Sequence, residues 1–116
     1  MSTLDADSIE VTPVQAREMI ERDGAPLIDV RETYEWDAGH ISGARNIALE
    51  RLPSAAETID KERPVIFQCR VGARSAMATQ AFRAAGYQAW SMAGGLVRWV
   101  DDGLPIDPDD GGVADH

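Results

Sequence analysis

The chain has 116 residues, 44% of them hydrophobic and 27% charged, and its 11 basic and 20 acidic side chains leave a net charge of −9. These values are ordinary for a single soluble globular domain with a core of its own, and the acidic balance argues against nucleic acid and anionic membrane surfaces as partners. A single cysteine excludes an internal disulfide, so the composition does not suggest an oxidising compartment.

Neither a signal peptide nor a membrane-spanning segment is expected, since no apolar stretch follows a basic start and none is long enough to cross a bilayer. The cytoplasm is therefore the expected location, and a monomer is the default for a chain of this size.

The first half of the chain alternates short apolar runs with helical patterns. Residues 1–8 are polar and expected to be flexible, and a short strand is expected over 9–11. Thr12 is a candidate N-cap, followed by Pro13 at the first helical position and Gln15 completing a capping box. This helix is expected to end at Asp23-Gly24, and its predicted apolar stripe consists of Val14, Ala16, Met19 and Ile20. The next predicted elements are a buried strand over 27–30, a helical turn over 33–37, a short strand over 45–48, and a loop and helix interrupted by Pro53 over 49–59.

The second half repeats the alternation. A strand over 65–68 precedes the clearest helical pattern, 75–85, which ends at Gly86; Met77, Ala78, Ala81 and Phe82 fall on one side of it. A last strand is expected over 87–92, and Gly94-Gly95 opens a final helix that carries Leu96, Trp99 and Val100. Residues 106–116 are expected to form an acidic flexible tail after one domain over 9–105. Alternating strands and helices indicate an α/β fold, a central parallel sheet with helices on both faces, whose ligands sit beyond the carboxyl ends of the strands.

The chain's only cysteine lies in the loop between that fourth strand and its helix. The loop reads Cys69-Arg70-Val71-Gly72-Ala73-Arg74-Ser75. A lone cysteine is commonly a small buried apolar residue, but two arginines, a glycine and a serine make a poor apolar core. Backbone N–H groups and the helix dipole would hold the sulfur as a thiolate nucleophile, and the arginines would attract an anionic substrate.

Other polar residues have simpler interpretations. Asp29 and Arg31 follow a strand in the same way as the cysteine, and a buried ion pair or loop anchor is favoured over a part in the site. Glu35 is a candidate partner of Arg31. His40 is expected to make structural hydrogen bonds rather than transfer protons. The three tryptophans are expected to pack, and Ser75 to cap its helix and to donate to the sulfur.

Three stretches together resemble a single-domain rhodanese. They are Leu27 to Arg31 with Glu35 and Gly39 to Ala44, then Cys69 to Ser75, then Gly94-Gly95 with Trp99. The resemblance covers about residues 9–105. It implies a rhodanese-like fold and a thiosulfate:cyanide-type sulfurtransferase in which Cys69 accepts a sulfane sulfur as a persulfide and passes it to a nucleophile. The surrounding Arg70, Val71, Gly72, Ala73, Arg74 and Ser75 would bind the substrate.

The implied reaction requires no metal or organic cofactor, and the two histidines show no metal-site spacing. Its partners would be a small sulfur donor and a thiol or protein acceptor, neither of which the sequence identifies. Three alternatives remain. One is a sulfur carrier for a specific partner, and another is a non-catalytic binding or regulatory module, although such modules often lack the cysteine. The third is a phosphatase of the related fold, although those have one residue more between cysteine and arginine than the four found here, Arg70 to Ala73.

Overall fold

Five parallel strands form one sheet in a computed structural model that describes residues 8–115. The strands are β1 (Glu10–Val11), β2 (Leu27–Asp29), β3 (Arg45–Asn46), β4 (Val65–Gln68) and β5 (Ala89–Met92), in the spatial order β1-β5-β4-β2-β3. The helices are α1 (Pro13–Asp23), α2 (Thr33–Ala38), α3 (Leu52–Ala55), α4 (Ala73–Ala84) and α5 (Gly95–Asp101), and the short 3₁₀ turns Leu49–Arg51 and Ala56–Thr58 flank α3. The predicted α/β class with a central parallel sheet is confirmed.

Cys69 directly follows the central strand, β4. All four of its residues are buried, and its neighbour β2 pairs with it in register, Asp29 opposite Gln68. Because both strands run in the same direction, the segments that follow them, Val30-Arg31 and Cys69-Arg70, leave the sheet at the same edge.

Helices cover both faces of the sheet. On one face α3 and α4 close an apolar cluster that includes Phe67, Phe82 and Leu52. On the other face α1 and α5 close a second cluster that includes Ile66, Met92 and Trp99. Burial on both sides accounts for the apolar runs of β2 and β4.

The start and end of α1 follow the sequence signals. Thr12 and Gln15 form the predicted capping box, and Gly24 ends the helix at φ +65°. The predicted stripe is wrong for Val14, which is 53% exposed, whereas Ala16 in the same helix is buried.

Helix α4 begins earlier than predicted, which corrects the role of Ser75. The N-cap is Gly72, at φ +113°, and the helix starts at Ala73. A backbone with this φ favours glycine, whereas Ser75 lies within the first turn, where its hydroxyl donates to the Gly72 carbonyl oxygen over 3.1 Å. Met77, predicted on the apolar side of the helix, is 60% exposed.

Residues near the end of the chain contact the domain through backbone groups. Asp107 and His40 exchange two backbone hydrogen bonds, 3.1 and 2.7 Å long, and Gly112 N–H donates to the Ala38 carbonyl oxygen over 2.9 Å. Val113 packs against the α1/α5 face. The acidic composition conceals these backbone contacts. The flexibility expected for 1–8 concerns residues that, except for Ser8, lie outside the described part of the chain.

No helix within residues 8–115 is long and apolar enough to cross a membrane.

Candidate active site

The sulfur of Cys69 lies inside the turn that joins β4 to α4. The residue is 1% exposed, and Sγ accepts hydrogen bonds from the backbone N–H groups of Gly72 at 3.1 Å and Ser75 at 3.4 Å. Gly72 makes this turn possible because its positive φ brings the following amides round to face the sulfur. Hydrogen bonds from two amides at a helix start favour negative charge on the accepting atom. The arrangement therefore suits an anionic sulfur.

Two buried hydroxyl groups lie beside the sulfur. Ser75 Oγ is 3.6 Å from Cys69 Sγ and 2.8 Å from Ser91 Oγ. The expected donation from Ser75 to the sulfur is wrong, because the Ser75 proton is directed to Gly72 O or Ser91 Oγ, and Ser75 Oγ can accept from the thiol form of Cys69. Sequence analysis did not select Ser91; its only signal was a polar residue in the otherwise apolar run of β5.

The Arg74 guanidinium binds the Glu35 carboxylate and does not extend toward the substrate side of the loop. Its Nη1 and Nη2 lie 2.8 and 3.0 Å from the two carboxylate oxygens of Glu35, which is fully buried. The hydrogen bond to Glu35 raises the pKa of Arg74 above its ordinary value, against the opposing effect of burial, with smaller contributions from the charges of Glu35 and Cys69. Arg74 is therefore a permanently charged anchor between α4 and α2.

Arg31, for which Glu35 was the candidate partner, binds the Asp29 carboxylate. Arg31 Nε and Nη2 contact the Asp29 carboxylate at 2.7 to 3.1 Å, and both side chains are completely buried. Arg31 Nη2 also donates to the Gly39 carbonyl oxygen over 2.9 Å. The predicted buried ion pair and loop anchor are confirmed.

His40 takes part in the packing of the neighbouring segment. Its Nδ1 lies 2.9 Å from the Trp36 carbonyl oxygen, and its ring stacks on the indole at 3.7 Å between centroids. These contacts are the structural role that the sequence predicted.

The outer side of the loop carries Arg70, Val71 and Ala73. Val71 is 53% exposed and Ala73 is exposed as well. The Arg70 side chain is 34% exposed, and its Nη2 lies 3.5 Å from a carboxylate oxygen of Asp115. Of the two loop arginines, Arg70 is thus the one at the surface.

Helix α5 supports the loop from behind. Leu96 N–H donates to the Cys69 carbonyl oxygen over 2.8 Å, and Val97 N–H to the Arg70 carbonyl oxygen over 3.1 Å. Gly95 permits this approach: it has φ +59°, and a Cβ there would lie 2.4 Å from the Cys69 carbonyl oxygen. The Gly94-Gly95 pair was noticed in the sequence, but its contact with the loop was not.

Within residues 8–115, no three His, Cys, Asp or Glu side chains are grouped so that they could hold a metal ion. The site suits nucleophilic attack by the Cys69 sulfur, which two backbone amides contact.

Comparison with known proteins matches the chain to a family. A family model described as "Rhodanese-like domain" matches residues 12–102. The "Thiosulfate sulfurtransferase GlpE" of Actinobacillus pleuropneumoniae serotype 7 is 33% identical over 99 residues, which are 84% of this chain and 92% of that protein. The "Uncharacterized protein YqhL" of Bacillus subtilis is 41% identical over 76 residues, which are 65% of this chain but only 60% of the relative.

A solved structure agrees on the fold. The crystal structure of a rhodanese-related protein from Thermoplasma volcanium superposes with a TM-score of 0.77 at 25% identity, covering 84% of this chain and 95% of that one.

Proposed function

The chain belongs to the rhodanese-like domain family, and we propose that it is a sulfurtransferase that moves a sulfane sulfur from a donor such as thiosulfate to a thiophilic acceptor through a persulfide on Cys69. The observation that carries the proposal is the convergence of the Gly72 and Ser75 amides on Cys69 Sγ, at 3.1 and 3.4 Å. It is supported by relatives whose names describe sulfur transfer.

The first half-reaction loads the cysteine. The Cys69 thiolate attacks the sulfane sulfur of thiosulfate, a new sulfur–sulfur bond forms, and the bond inside thiosulfate breaks with its electron pair leaving on sulfite. The negative charge moves from Sγ to the outer sulfur. The loop amides, held by the start of α4 close to Cys69, stabilise the anionic sulfur.

The second half-reaction transfers the outer sulfur from Cys69 to an acceptor. An acceptor thiolate, or cyanide in an assay, attacks the outer sulfur, and the electron pair of the sulfur–sulfur bond returns to Sγ. The product is an acceptor persulfide or thiocyanate, and the Cys69 thiolate is regenerated. Every step is a displacement at sulfur, so the cycle needs no external oxidant or reductant.

The two loop arginines have different roles. Arg70, at the surface, attracts the anionic donor. Arg74 is a positioning residue: its bidentate contact with buried Glu35 fixes the first turn of α4, and hence the direction of the amides. Val71 and Ala73 form the exposed rim over which the donor or acceptor approaches.

The surroundings of the reaction follow from its chemistry. Cys69 must remain unoxidised between cycles, which a reducing compartment such as the cytoplasm favours. A single chain supplies the whole loop, so the monomer is the working unit. The acceptor is a low-molecular-weight thiol or a protein thiol.

The test is steady-state kinetics with thiosulfate and cyanide. A persulfide intermediate predicts a ping-pong pattern, parallel lines in double-reciprocal plots. Cys69→Ser should abolish thiocyanate formation while circular dichroism shows an unchanged fold. Residual activity of Cys69→Ser, or faster turnover of p-nitrophenyl phosphate than of thiosulfate by the parent protein, would overturn the proposal.

A further inference from the structure

The guanidinium of Arg70 has one donor edge that its own domain leaves largely unused. Its Nε is shielded from solvent and has no hydrogen-bond partner among residues 8–115. On the same edge, Nη2 has only Asp115, at 3.5 Å. Arg31 shows how the same edge is satisfied elsewhere, since its Nε and Nη2 grip the Asp29 carboxylate at 2.7 to 3.1 Å. Arg70 thus has a shielded Nε–H, unpaired within residues 8–115, beside an Nη2 that holds one weak partner, and a bidentate anion could bind both donors of this fork only after Asp115 leaves.

The residue that contacts Arg70 Nη2, Asp115, comes from the far end of the chain. Asp115 lies 45 positions after Arg70, and its own side chain is 99% exposed. The preceding tail is held in place by the backbone pairing of Asp107 with His40 and by the bond from Gly112 to Ala38. The position of the Asp115 carboxylate therefore follows from a docked tail, although the carboxylate itself remains in water.

We propose that Asp115 lowers the affinity for the sulfur donor: its carboxylate is an internal anion that the donor must displace from the Arg70 fork. The inference rests on the proposed sulfur transfer, since it assigns the fork to the sulfonate end of an anionic donor. The Nε–Nη2 edge can bind two of the oxygens of that group, as Arg31 binds two oxygens of Asp29. The sulfane sulfur would then point away from the fork.

The consequence is a competition between a weak internal ligand and an external one. An exposed ion pair at 3.5 Å is worth little, so the tail weakens donor binding without blocking it. The same carboxylate repels anions that approach Arg70, and salt screens both effects. Asp115 therefore sets the concentration of anionic donor that the enzyme requires, while the chemical step at Cys69 is unaffected.

The test compares two charge-removing variants of the same tail. Asp115→Asn should lower the KM for thiosulfate by about two- to fivefold with kcat unchanged. Asp109→Asn removes the same charge from an exposed tail position that does not pair with Arg70, and it should change KM much less. In an Arg70→Ala background, Asp115→Asn should have no effect. Equal KM values for Asp115→Asn and the parent, or equal shifts in the two tail variants, would overturn the inference.

A binding measurement separates this inference from the proposed function. Thiosulfate is titrated into Cys69→Ser protein, which cannot turn over, while the NMR resonance of the Arg70 Nε–H group is followed. The resonance should shift, and at lower thiosulfate concentration when Asp115→Asn is added. If it shifts as expected but the parent forms no persulfide, the anion site stands and the sulfur transfer fails. If persulfide forms but the resonance does not respond to Asp115→Asn, the role of Asp115 fails.

Discussion

Gly95→Ala tests how closely the active-site loop depends on the helix behind it. The added Cβ would lie 2.4 Å from the Cys69 carbonyl oxygen and 2.6 Å from the Arg70 carbonyl carbon and oxygen, where real contacts begin at about 3.0 Å. All of these atoms are backbone, so no side chain can swing aside. Either the loop or the start of α5 must therefore move by at least about half an ångström.

The expected size of the effect has two parts. Alanine at φ +59° costs about 1–2 kcal/mol of stability, as any non-glycine residue does in the left-handed region. The clash adds about 1–3 kcal/mol, typical of an overpacked interior. Because the displaced atoms carry the nucleophile, kcat/KM for thiosulfate should fall about 10- to 100-fold.

Gly103→Ala is the matched control. Gly103 also has a positive φ, +79°, but nothing lies within 4 Å of the position its Cβ would take. Gly103→Ala should lose only the roughly 1–2 kcal/mol that alanine costs in the left-handed region, and it should retain full activity. Urea unfolding followed by tryptophan fluorescence and thiosulfate:cyanide kinetics measure the two effects. If the two variants lost the same stability and kept the same activity, the supporting role of α5 would be refuted.

Two other predictions concern the loop. Arg74→Met removes the bidentate ion pair with the buried Glu35 carboxylate and should lower the free energy of unfolding by about 3 kcal/mol. Adding Glu35→Gln should restore part of that loss, so additive losses in urea unfolding would contradict the pairing. Because folding raises the pKa of Arg74, the stability that Arg74 contributes is fully present below its ordinary pKa and is lost only when the pH exceeds the raised pKa. The loss of stability in Arg74→Met should therefore stay constant from neutral to moderately alkaline pH. Inserting one glycine between Val71 and Gly72 should abolish sulfur transfer, because the amides would no longer converge on one sulfur atom; unchanged thiosulfate kinetics would show that loop size does not matter.

Local signals predicted most of the fold. Thr12 and Gln15 act within four residues of each other, and the apolar runs of β2 and β4 identify strands buried on both faces. The Cys69 loop was predicted for the same reason, since its residues are adjacent in the chain. The start of α4 was misplaced because the capping preference of Ser75 was weighed above the positive φ that Gly72 supplies.

The remaining features depend on residues that are distant in the chain. Arg74 and Glu35 are 39 positions apart, and Arg70 and Asp115 are 45 positions apart, so no local pattern could pair them. Ser91 reaches Ser75 only because β5 lies beside β4 in the sheet. The contact of the tail with Ala38 and His40 is made by backbone groups, which composition does not reveal.

The most direct test of the central claim is the intact mass of the protein after incubation with thiosulfate and removal of excess reagent. A persulfide on Cys69 predicts a gain of one sulfur atom, which cyanide or a thiol reductant removes and which Cys69→Ser does not acquire. An unchanged mass in the parent protein, or an equal gain in Cys69→Ser, would contradict sulfur transfer through this cysteine.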